Sequence, residues 1–250
     1  MFDTPIILAV VGTFLIAGTV KGVIGLGLPT VSLALLTVAI DLPHAMALLL
    51  VPSFVTNLWQ AVVGGSGSAI LRRLWPFLLM ATVTVWIGAT ALTRVDLSLL
   101  SALLGALLVV YSTVDLAGLR FRITMRQEMW IGPLVGSANG ILTGMTGSFV
   151  VPGVLFLQAI GLPRDMLIQA MGMLFTISTL ALAVALQEND LLTMELGTLS
   201  AAALLPAIIG MILGQRIRQR LPEQLFRRVF FIALLMLGAY IIVSAFDGFS

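Results

Sequence analysis

The chain has 250 residues, 60 % hydrophobic and only 10 % charged, far below the roughly 25 % charged of soluble domains. A soluble fold of this length cannot bury so many uncharged runs of about 20 residues, each long enough as helix to cross a hydrocarbon core of about 30 Å. The formal net charge of +2 comes from arginines between apolar runs and is no nucleic-acid signal, and the absence of cysteine excludes disulfides, thiolate metal sites and cysteine nucleophiles.

The expected class is therefore an all-α integral membrane protein, because lipid-exposed backbone must satisfy its own hydrogen bonds. The apolar runs do not alternate as the strands of a β-barrel would. Met1, Phe2 and Asp3 supply no basic n-region, so segment 6–20 is expected to remain in the mature chain.

In chain order, the first apolar run, 5–41, is too long for one span and too short for two. It is punctured by Gly18, Gly22, Gly25, Gly27 and Pro29. Ordinary spans follow at about 45–63, 75–93 and 97–117. A second punctured run, 129–161, carries Gly136, Gly140, Gly144, Gly147 and Pro152, and further spans are expected at about 166–186, 196–214 and 229–246. Glycine and proline weaken helix interiors, so each punctured run is expected to break in its middle into two legs. Legs of about 13–16 residues would reach about 20–24 Å. The second legs are expected to begin near Thr30, Val31 and Ser32 and near Ser148.

The two halves repeat at an offset of 120 positions. Gly12 meets Gly132, Gly27 meets Gly147, Val31 meets Val151 and Leu35 meets Leu155; Leu42–Pro43 meets Leu162–Pro163, and Thr56 meets Thr176. Residues 1–118 form the first repeat, 119–128 a basic cytoplasmic linker and 129–250 the second repeat. If each broken run returns to the side it started from, Arg72, Arg73, Arg120, Arg122, Arg126, Arg164, Arg216, Arg218, Arg220, Arg227 and Arg228 share one side. Only Arg94 falls opposite, which the positive-inside rule favours over a parallel duplication. The repeats are then inverted, each a Gly/Pro-broken helical hairpin followed by three transmembrane helices. The expected location is the bacterial inner (cell) membrane, with both termini extracytoplasmic. Re-entrant hairpins and paired tilted crossings give the same sidedness.

Paired broken helices in the two halves of a membrane chain point to a transporter's binding site near the midplane. Helix N-termini there attract anions. The candidate substrate-binding residues are Lys21, Gly22, Gly25, Gly27, Thr30 and Ser32 in the first copy. Their counterparts in the second are Asn139, Gly140, Thr143, Gly144, Thr146, Gly147 and Ser148. The competing reading of the glycines is close helix packing. Lys21 is the only charged residue well inside an apolar run, with no carboxylate at comparable depth. That suits an anionic substrate, against the alternative of a snorkelling side chain. Asn57, Gln60 and Thr176 complete the candidate substrate-binding set; Asn57 and Gln60 share a helical face, with Thr176, Ser178 and Thr179 in the matching region of the second copy. They either line a polar cavity or make interhelical hydrogen bonds, as do Gln158 and Gln169. Asp115 and His44 read as interfacial, and Trp75, Trp130 and Tyr240 as interfacial anchors.

The run from Gly136 through Asn139, Gly140, Thr143, Gly144, Thr146, Gly147 and Ser148 to Pro152, followed by Gly161, Leu162 and Pro163, resembles the glycine-rich signature of the TauE/SafE family. Gly18, Lys21, Gly22, Gly25 and Gly27 carry the same kind of signature in the first half, and the basic stretch after Gly210 and Gly214 is similar to the family's second-half pattern. The copies depart from it where Leu28 and Pro29 intervene and where Ser148 and Phe149 replace a further glycine pair. The resemblance implies a permease for sulfur-containing anions such as sulfite, thiosulfate, sulfoacetate or related sulfonates.

Together these readings lead to a secondary transporter of a small anion, a sulfur oxoanion or organosulfonate, working by alternating access. An anion channel with a glycine-rich re-entrant filter and a carrier of non-sulfur carboxylates are the rivals. The expected partners are the anion and the lipid bilayer, with no nucleic acid; a homo-oligomer is compatible. No cofactor or metal is expected. An enzyme is not expected either, since the single His44, no cysteine and no buried carboxylate leave no nucleophile–base pair.

Overall fold

The computed structural model describes residues 3–220 and 222–247. The expectations for residues 1–2 and for the C-terminal residues 248–250 lie outside the described residues. Everything regular among the described residues is helix. In order these are α1 (Thr4–Ile24), α2 (Leu28–Ala39), α3 (Leu42–Leu48), α4 (Leu50–Val62), α5 (Gly67–Val83), α6 (Val85–Leu92) and α7 (Leu97–Leu116). After the linker come α8 (Met125–Thr146), α9 (Gly153–Ala159), α10 (Arg164–Glu188), α11 (Met194–Arg218) and α12 (Glu223–Asp247). Six helical stretches among the described residues are long and apolar enough to cross a membrane; the bent pair α3 and α4, turning by 45°, makes a seventh if counted as one span. This is a multi-pass, all-α membrane protein.

Local chemistry sets the boundaries. Pro5 opens α1 and Gly25 closes it at φ 83°, with its N–H on the Lys21 carbonyl at 2.8 Å. The α8 N-terminus is a capping box in which the Thr124 hydroxyl and the Gln127 side chain each satisfy the other's backbone N–H. Gly147, at φ 72°, ends that helix. Asp96 caps α7 by accepting from Ser98 N–H at 2.8 Å, and Thr193 caps α11 by accepting from Leu196 N–H at 3.2 Å. The helix therefore begins within the expected linker, at Met125.

Both punctured runs break inside their glycine clusters, as expected, but into unequal legs. Their first legs have 21 and 22 residues and their second legs only 12 and 7. At 1.5 Å per residue the long legs reach about 32 Å and the short ones about 18 and 10 Å, in place of equal legs of about 20–24 Å. The second legs start at Leu28 and Gly153. The reason is that most of the glycines are packing residues. The break falls at the last glycines of each cluster, where the backbone turns left-handed.

Close packing divides the chain into two units that interleave in sequence. One comprises Met1–Pro52, Val95–Leu119 and Leu191–Ser250; the other comprises Ser53–Arg94 and Arg120–Asp190. In the first unit α1 packs along α11 and α7 along α12. A side chain at Gly18 would strike the Ala207 carbonyl, one at Gly22 the Met211 carbonyl, and ones at Gly210 and Gly214 the carbonyls of Leu15 and Thr19. Asp115 and Arg227 form a bidentate ion pair between α7 and α12, and Phe231 stands edge-on to Tyr111 at 5.1 Å.

The second unit is also joined by close glycine packing. Here α8 packs along α5 and α6. Side chains at Gly136, Gly140 and Gly144 would strike the Phe77 carbonyl, Thr84 Oγ1 and the Val85 carbonyl. Backbones meet this closely only where Cβ is missing, the usual device for joining helices in lipid. The long leg of each broken run thus lies against a helix from the opposite half of the sequence.

Candidate functional site

Each unit contains one tip where a broken run turns. In the first, Gly25 and Gly27 take φ of 83° and 104°, which side chains resist, around Leu26. A Cβ on Gly25 would meet nothing within 4 Å, so conformation and not crowding demands glycine there, and its face is open. Lys21 sits in the last turn of α1, buried at 5 % exposure. Thr30 and Ser32 lie buried in the first turn and a half of α2. The Ser32 hydroxyl donates back to the Leu28 carbonyl at 2.8 Å, which leaves it an acceptor toward anything else. Gly22 is filled by α11, as described above.

In the second unit the tip is longer. After Gly147 the coil 148–152 runs buried to the start of α9, through a cis peptide at Val151–Pro152. Three side chains of α8 hold it. Thr143 Oγ1 donates to the Ser148 carbonyl at 3.0 Å, and Ser148 N–H donates to Thr146 Oγ1 at 3.2 Å. Thr146 Oγ1 in turn donates to the Leu142 carbonyl at 2.7 Å. Asn139 Oδ1 accepts from Gly153 N–H at 2.9 Å, tying the middle of α8 to the first residue of α9. Phe149 from the coil packs on Phe175 of α10, ring centres 5.9 Å apart. Of the expected residues, Asn139, Thr143, Thr146, Gly147 and Ser148 therefore share one connected turn. Gly140 and Gly144 instead face α5 and α6.

Asn57, Gln60 and Thr176 lie on α4 and α10 of the same unit. Gln60 Nε2 donates to the Ile168 carbonyl at 2.7 Å, and Gln169 Nε2 to the Ala61 carbonyl at 2.8 Å, while Gln169 Oε1 accepts from Ser66 N–H at 2.9 Å. These are the interhelical bonds of the alternative reading. They stand beside Gly172, where a Cβ would crowd Gln60 and Ala61. Thr176 and Thr179 donate to the carbonyls four residues back, at 2.7 and 2.6 Å.

Two features escape inspection of the sequence. Arg73 forms a bidentate pair with Glu128 and also donates to the Ile160 carbonyl at the end of α9. Their separation by 55 positions gave no hint of it. The fully buried hydroxyls of Ser53 and Ser178 and the Asn139 amide nitrogen have no hydrogen-bond partner among the described residues. A buried donor left so costs about 1–3 kcal/mol, so such atoms mark places where a polar ligand would be welcome.

No group of three or more His, Asp or Glu side chains that could hold a metal ion occurs among the described residues. The tip of the first unit offers open glycine backbone and one buried lysine, and that of the second hydroxyls and an amide. No curated protein and no solved structure matches this chain. The model of the sulfite exporter TauE/SafE family matches residues 10–241, which include the breaks of both runs. Members of that family are transporters, which fits a protein that is not an enzyme, and membership implies a membrane exporter of the sulfite or sulfonate type. The chain belongs to the TauE/SafE family of sulfite exporters.

Proposed function

We propose that this protein is a secondary carrier of a small sulfur oxoanion or organosulfonate, of the sulfite, thiosulfate or sulfoacetate type, held at a broken-helix tip and released by alternating access. The observation behind this reading is the irregular stretch 147–152, buried inside an apolar helical unit. At membrane depth, non-helical backbone is tolerated only where protein covers it or it lines a cavity. Broken helices are also where repeat-built transporters hold their substrates.

The charge at each tip, taken by itself, favours an anion. In the first unit Lys21 is a buried lysine within one turn of Gly25, and in the second residues 129–163 carry no charged side chain. A sodium or calcium pathway would want carboxylates. The arginine distribution supports inverted halves in a bacterial inner membrane, with both termini outside. With no nucleotide-binding motif in the sequence, an ion gradient or the substrate's own gradient drives the cycle.

Proteoliposomes holding the purified protein are expected to take up labelled sulfite or a sulfonate saturably and in preference to carboxylates, with no unitary currents in planar bilayers. Absence of flux for every anion in such a panel would overturn the reading.

A further inference from the structure

The hydroxyl-rich tip of the second unit looks like a ring of donors, but most of its protons are already committed. Thr143, Thr146, Thr176 and Thr179 each donate to a backbone carbonyl, at 3.0, 2.7, 2.7 and 2.6 Å. A hydroxyl has one proton, so toward a ligand these four can only accept. An anion, which offers acceptors alone, gains nothing from them.

Asn139 differs. Its amide orientation is set by the Gly153 N–H, which donates to Oδ1 at 2.9 Å and so leaves the NH2 group at the other end. That Nδ2 is fully buried and has no partner among the described residues. Gly153 also marks where α10 approaches, since a Cβ there would crowd both Asn139 and the Leu174 side chain. Ser178 lies one turn beyond Leu174 and hence on the same face of α10. Its hydroxyl is fully buried, with no partner among the described residues either. Residues 129–163 and 166–187 contain no charged side chain that would serve these donors instead.

We infer that Asn139 Nδ2 and Ser178 Oγ are paired donors of an uncharged oxyanion-reading site within the second unit. The ligand class is an anion with at least two acceptor oxygens on one centre, as in a sulfonate or sulfite group. This rests on the transport reading and deepens it: Ser178, and not the neighbouring Thr176, is the specificity-determining hydroxyl of α10.

The test uses the full-length protein in lipid nanodiscs and methanesulfonate, which stays ionised across the pH range used, with binding followed by calorimetry. Each donor lost is expected to weaken binding about 10- to 100-fold. Ser178→Ala should show that loss, while Thr176→Val, which removes a hydroxyl whose proton is already on the Gly172 carbonyl, should bind as the parent does. Asn139→Asp keeps an oxygen for the Gly153 N–H but turns the free end into a titrating carboxyl. Its binding should be near the parent's in acid, where that carboxyl donates, and fall as pH rises, a profile the parent lacks. A merely structural role would not produce it. Should Asn139→Asp fail to fold, Ser178→Ala against Thr176→Val decides alone. Parent-like binding in Ser178→Ala, or a parent-like pH profile in Asn139→Asp, would overturn this site while leaving the carrier intact. If the parent binds neither methanesulfonate nor sulfite, both the site and the carrier reading fall.

Discussion

Arg73 and Glu128 meet through two hydrogen bonds of 2.9 and 2.7 Å, and the same guanidinium reaches the Ile160 carbonyl at 3.2 Å. One side chain of α5 therefore ties the start of α8 to the end of α9, and so closes the second broken run on itself. The carboxylate is nearly buried at 9 % exposure, the guanidinium less so at 28 %. Removing one partner strands the other in a poorly solvated place. Arg73→Gln or Glu128→Gln is expected to cost about 1–3 kcal/mol, the lower part of the buried range because Arg73 touches solvent. The exchanged pair Arg73→Glu with Glu128→Arg should recover part of it. Thermal unfolding of the detergent-solubilised variants measures this; equal melting of parent and single variants would show the clamp to be idle.

Glycines in the long legs should sort by what a methyl group would meet. At Gly18 it would enter the Ala207 carbonyl, which is backbone and cannot step aside. Gly18→Ala is expected to destabilise by about 1–3 kcal/mol through overpacking. At Gly12 it would meet nothing within 4 Å, and Gly12→Ala should be stabilising by up to about 1 kcal/mol through helix propensity. The same melting experiment separates them by sign.

Gly25 tests conformation apart from space. Its φ of 83° is unfavourable for a residue with Cβ, yet its surroundings are open. Gly25→Ala should cost about 1–2 kcal/mol, and Gly25→Asn less, because asparagine visits the left-handed region more readily. Equal stability of the two variants would mean that the turn relaxes to another shape.

The residues themselves explain how far the sequence could be read. Apolar runs and their interruptions located the spans, because span length and lack of charge are local properties. Which glycine breaks a helix and which packs it is a matter of register. Gly18 and Gly22, Gly136, Gly140 and Gly144, and Gly210 and Gly214 step by four along one helix face, whereas Gly25 and Gly147 fall three beyond the last of their stripes. That offset was visible, though equal legs were expected. The pairing of α1 with α11 was not visible, since the repeat joins neighbours in sequence while packing joins helices from opposite halves. Nor could residue type tell Thr176 from Ser178. Both are hydroxyls, but only the threonine has turned its proton onto the carbonyl four residues back.

Lys21 offers the sharpest measurement, because it is a buried lysine in the last turn before Gly25. Proteoliposomes preloaded with unlabelled sulfite or methanesulfonate should accumulate external label by counterflow, with the parent saturating and Lys21→Ala reduced to at most about one hundredth, a charge-assisted contact being worth about 1.5–3 kcal/mol and the loss of a buried cation adding to it. Lys21→Arg, which keeps the charge, should retain part of the flux. Counterflow by Lys21→Ala equal to the parent's, or none from the parent with any sulfur anion, would contradict an anion carried at these tips.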